Sequence, residues 1–142
     1  MALMSISAFG QITDKGKCFE MRVGDYVETS GESCYNFNKE SGWCSFGFDF
    51  FEKEEAKEFY NFLISNYERI GNKWGIEFDS INLLDAKEYG LPKEYTERHG
   101  RYVVSVSVIF PERYKQYKEN ERKKEMQKKN EMHKRLNSLK EF

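Results

Sequence analysis

Residues Cys44–Phe59 read CSFGFDFFEKEEAKEF, and within this stretch the apolar period changes. Phe46, Phe48 and Phe50 alternate with Ser45, Gly47 and Asp49, the period of a strand with one face on a core. From Lys53 onward Ala56, Phe59, Tyr60, Leu63, Tyr67 and Ile70 recur at helical spacing. Glu52, Glu54 and Glu55 suit the positive end of a helix dipole, and Gly71 is the expected stop. An aromatic strand running straight into an amphipathic helix, each with one apolar face, specifies an α+β layer.

The flanking sequence extends that layer. Met4–Phe9 alternates as a strand, with Gly10 at a bend, and Thr13–Lys17 (TDKGK) supplies the Asp and Gly of a hairpin turn. Phe19, Met21 and Val23 share one face of the next strand, Gly24-Asp25 turns the chain, and Tyr26–Thr29 with Cys34–Phe37 forms a further ribbon. Trp74, Ile76 and Phe78 alternate again. Ser80–Tyr89 fits either a strand or a short helix ended by Gly90, and Leu91–Gly100 reads as a polar loop with room for one helical turn. Tyr102, Val104, Val106, Val108 and Phe110 line one face of a strand whose other face is also partly apolar, as in a central strand. Pro111 ends it and opens a helix free of Gly and Pro to Leu139. The expected fold is α+β: a mostly antiparallel sheet of five to six strands packed on one central helix, with a long charged C-terminal helix. The chain divides into a body of residues 1–112 and a helix of residues 113–142.

A chain of 142 residues with 16% aromatic content is large enough to fold on its core alone. Cys18, Cys34 and Cys44 are odd in number and His99 and His133 are isolated, so neither a disulfide framework nor a zinc site is expected. Free thiols fit a reducing cytoplasm, and no run of apolar residues is long enough for a membrane span. The net charge of −1 conceals an asymmetry. Residues 111–142 hold eleven Lys/Arg and six Asp/Glu, a net of +5, and the residues before them carry −6.

Four patterns carry chemistry. The alternating aromatics are similar to the strand signature of RNA-recognition domains, where rings two apart stack on bases, and this makes Phe46 and Phe48 an alternative nucleic-acid platform. Against it, residues 11–43 read as strands and turns where that fold has a helix. Asp79 followed by Asp85-Ala86-Lys87 has the loose form of a metal-dependent nuclease core. His99 stands beside a glycine as a lone general acid or base.

The C-terminal helix is the fourth pattern. Lys118–Glu125 (KENERKKE) has no apolar residue, so burial cannot hold it. Arg122, Lys123, Lys124, Lys128 and Lys129 give it a basic cast, and Met126, Met132, Leu136, Leu139 and Phe142 restore apolar character toward its end. These ten residues are the expected partner-binding set. The expected function is a small non-catalytic cytoplasmic binding protein acting through protein–protein contacts, a phage-type stoichiometric inhibitor or adaptor. Its partner is another protein, or a second copy bound through the C-terminal helix. A nucleotide or single-stranded RNA binder is the alternative and a metal-dependent nuclease the second alternative. No cofactor, resident metal or membrane contact is expected.

Overall fold

The computed structural model describes residues 10–30 and 41–142. The expected strands at Met4–Phe9 and Cys34–Phe37 lie outside these residues. In chain order the described elements are β1 (Gly10–Asp14), β2 (Phe19–Val23), β3 (Tyr26–Thr29), β4 (Trp43–Phe50), α1 (Lys53–Trp74), β5 (Glu77–Asp85), α2 (Lys93–His99), β6 (Tyr102–Ile109) and α3 (Pro111–Lys140).

The strands form two antiparallel sheets, ordered β1-β2-β3 and β4-β6-β5. This corrects the expected single sheet. Alternation along a strand says which residues share a face and nothing about which strand lies alongside. The two sheets meet through rings: Tyr26 of β3 packs on Phe50 at 5.4 Å and on Phe59 at 4.9 Å.

Local chemistry fixes the first sheet. Asp14 Oδ1 accepts the N–H of Gly16 at 2.8 Å in the β1–β2 turn. Gly24 (φ +59°) begins the two-residue β2–β3 turn that pairs Val23 with Tyr26. Phe19, Met21 and Val23 all point into the core.

In the second sheet β6 is central. It pairs along its whole length with β4 and β5, so Val104, Val106 and Val108 are fully buried. Phe46 stands opposite Val106 and Phe48 opposite Val104. Ala56, Phe59 and Leu63 of α1 close over them, with Phe59 touching Phe48 at 4.7 Å and Phe50 at 5.4 Å. Phe46 and Phe48 are only 1% and 2% exposed. The nucleic-acid platform is therefore corrected: these rings have no free face on which a base can stack.

Helix α1 runs one turn past its expected stop. Gly71 lies inside it, and Gly75 (φ +69°) ends it by donating its N–H to the Gly71 carbonyl. A Cβ on Gly71 would stand 2.7 Å from the carbonyl oxygen of Ile76. The glycine is needed for close approach of the returning chain, a use the sequence pattern cannot distinguish from a helix stop. Beyond it Trp74 is helical, and β5 continues to Asp85 through a bulge between Phe78 and Ser80, which resolves the ambiguous segment as strand.

Truncating a ring in this layer leaves a cavity that the paired strands cannot collapse into. Phe48→Ala should cost about 3–5 kcal/mol of unfolding free energy in urea titrations. A variant as stable as the parent would mean that the ring is not a core element.

Candidate functional site

The root of α3 is bolted to the body. Pro111 occupies the first helical turn, where its missing N–H costs nothing. The Phe110 N–H donates to the Gly42 carbonyl at 2.7 Å, and a Cβ on Gly42 would crowd Tyr114 N at 2.5 Å. Phe110 stacks on Phe19 with centroids 4.6 Å apart, and the Arg113 guanidinium lies 5.6 Å from both ring centres. Sequence reasoning missed this clamp, because Phe19 and Phe110 are distant in the chain and no spacing joins them.

Beyond the clamp the helix leaves the body. Tyr114 and Tyr117 are half-buried, and from Arg122 to Phe142 every residue is exposed. The exposed helical part is about 30 Å long. Met126 (49% exposed), Met132 (43%), Leu136 (48%) and Leu139 (67%) stand in solvent, with Phe142 after them. Only local contacts brace this stretch. Arg122 pairs with Glu119 at 2.6 Å, and Lys124 with Glu121 at 3.5 Å. The Arg122 hydrogen bond holds the Glu119 carboxyl below the usual glutamate range. Lys123, Lys128 and Lys129 make no ion pair among the described residues. Nine of the ten residues of the expected binding set thus lie on α3, spread around its circumference, and Phe142 lies just past its end, while Phe46 and Phe48 lie elsewhere, in the core.

The nuclease pattern is not assembled as a pair. Asp79 and Asp85 stand at opposite ends of β5, about 20 Å apart along the strand. Arg101 Nε donates to Asp85 Oδ1 at 2.9 Å and Nη2 to Oδ2 at 2.8 Å. The Lys87 N–H adds a further bond to Oδ1 at 3.0 Å. Asp85 is thereby held below the usual carboxylate range, first by the Arg101 hydrogen bonds, and its role is to pin the start of β6 to the end of β5. Asp79 accepts the indole N–H of Trp43 at 3.3 Å. Among the described residues no three His, Cys, Asp or Glu side chains are grouped to hold a metal ion.

One charged corner was not foreseen. Asp49 of β4 and Glu28 of β3 are both half-buried, and the charge of Asp49 acts on Glu28. The Tyr95 hydroxyl donates to Asp49, and the Tyr95 ring lies 4.7 Å from the ring of His99. Burial is the chief cause that pushes both carboxyls up, and His99 counteracts it at each. Asp49 reads from its strand period as an outward residue, and the half-cover from α2 has no signature in the local sequence. Burial also pushes the Cys44 thiol up to about 12, so this cysteine is an inert core residue.

No family model, no curated protein and no solved structure matches the chain.

The sign of the Glu28/Asp49 effect follows from linkage. With folded-state values above the unfolded ones, the stabilising contribution is fully present below the unfolded pKa, about 4, and is lost as pH rises through the folded values. Asp49→Asn should flatten the fall in stability between about pH 4 and neutrality and leave the protein at least as stable at pH 7. Urea midpoints across that range measure this, and a variant less stable at pH 7 contradicts it.

Proposed function

We propose that this protein is a non-catalytic binding protein whose working surface is α3, and that its partner is a protein. The observation that carries this reading is the unbroken exposed run of α3 from Arg122, with Met132, Leu136 and Leu139 in water on a regular helix. Burial against its own body contributes nothing to this stretch, and a solvated helix draws only about 0.2–0.5 kcal/mol from each of its side-chain pairs. Large apolar side chains kept on such an element fit the helix-in-groove mode, where anchors three or four residues apart enter a partner. The acidic body beside a basic helix adds electrostatic selectivity for that partner. A stoichiometric inhibitor or adaptor, working in the cytoplasm, is the role that such a surface serves without an active site.

Leu136→Glu/Leu139→Glu removes the apolar anchors at exposed positions and should leave the fold intact. Parent and variant are compared in tagged pull-downs from host lysate, washed at low and then high salt. A stoichiometric protein retained by the parent through high salt and lost, by more than about tenfold, on the variant is the expected result. Equal recovery on both contradicts the reading. So does nucleic acid as the species eluted steeply by salt.

A further inference from the structure

The outer face of the second sheet carries a feature that neither the core nor α3 uses. The register of β4, β6 and β5 sets its side chains in rows across the three strands. Ser45, Ser107 and Ser80 form one row, and Gly47, Ser105 and Asn82 form the next. Both rows lie on the face opposite Phe46, Phe48, Val104 and Val106, away from α1. They contain no charged side chain and no large apolar one. At strand spacings they make a shallow trough about 10 Å across, with about 20 Å between Trp43 at one end and Asp49 at the other. Half-buried Ile109 continues the face beside Trp43, and Val103 and Leu84 continue it beside Asp49.

The fold itself has no need of this trough. Gly47 lies outside the positive-φ region, and a Cβ there would meet only Val103 Cγ1, at an ordinary contact distance of 3.7 Å. An interior strand glycine that its own chain can do without marks a surface that something else approaches closely. Ser107 is 7% exposed, yet its hydroxyl has no hydrogen-bond partner among the described residues, and it opens into the trough between Ser45 and Ser80. Trp43 closes one end. Its indole N–H donates to Asp79 Oδ2 at 3.3 Å, across β6, and its ring is 43% exposed.

The chemistry of the rows selects the ligand class. Phosphate groups are disfavoured, because no Lys or Arg stands in the rows, and Asp49, Glu77 and Asp79 stand at their ends. A protein surface is disfavoured too, because interface cores are rich in aromatic residues, Met and Arg and poor in Ser. Hydroxyls and an amide, which both donate and accept, beside an exposed indole suit a neutral ring compound bearing many hydroxyls. We infer that the outer face of the second sheet binds a neutral oligosaccharide, its sugar rings laid along the serine rows with one end on Trp43.

Calorimetric titration of the full chain with maltopentaose, cellopentaose and chitopentaose tests this. The parent should bind at least one of the three. Trp43→Ala, at an exposed ring, should weaken that binding by about tenfold or more. Gly47→Val fills the trough and should abolish binding, while its urea midpoint stays equal to the parent's or rises, since Val suits a strand better than Gly. A glycine kept only for the fold would not separate those two readouts. Leu136→Glu/Leu139→Glu on α3 should bind the oligosaccharide as the parent does. No binding of any of the three to the folded parent overturns the inference. Binding untouched by Gly47→Val and Trp43→Ala places the ligand on another surface and also overturns it.

Discussion

Contact of the Phe48 and Phe50 rings of β4 with Phe59 is the constraint on which the rest of the molecule depends. Three rings on alternate positions of β4 give the second sheet its buried face, and Phe59 and Leu63 of α1 close it. Tyr26 enters the same cluster from β3, so the first sheet is attached to the second through these rings and not through a backbone ladder. Burying a phenylalanine contributes about 1.5–3 kcal/mol, so this one cluster is a large share of a marginal stability. It also removes Phe46 and Phe48 from any binding role. A ring that two sheets and a helix require for packing cannot also present a face to a ligand.

With the core complete in the body, α3 has nothing left to bury against beyond its root. The Phe19–Phe110–Arg113 clamp fixes where the helix starts and leaves its far end in solvent. Lys118–Glu125 lacks any apolar residue, so the body could not hold that stretch even if it lay close. Anchors at Met132, Leu136 and Leu139 then make sense as half of a contact whose other half lies on another molecule.

Much of this was legible in the sequence because it is periodic. The change from period two to period 3.6 at Lys53 gave the strand, the helix and the core face of each. The polar run after Lys118 gave the exposure of α3. What was not legible depends on close approach between distant segments. Gly71 looks like a helix stop and serves as a gap for the Ile76 carbonyl. The division into two sheets follows from which strands become neighbours, and the half-buried Asp49–Glu28 corner from where α2 settles. Asp85 in a D-x-K pattern looks like a metal ligand and is the anchor of an ion pair with Arg101. In each case the residue type is compatible with two uses, and only its neighbours decide between them.

The central claim is that α3 beyond its root owes its order to a partner and not to its own body. Amide hydrogen exchange by peptide, at dilute and at high protein concentration, tests it most directly. The account predicts that residues 122–140 exchange far faster than α1 and β6 in dilute protein and gain protection as concentration rises or a partner is added. Protection equal to that of α1 in a dilute monomer, unchanged by concentration, would contradict it, because the chain itself would then be holding the helix.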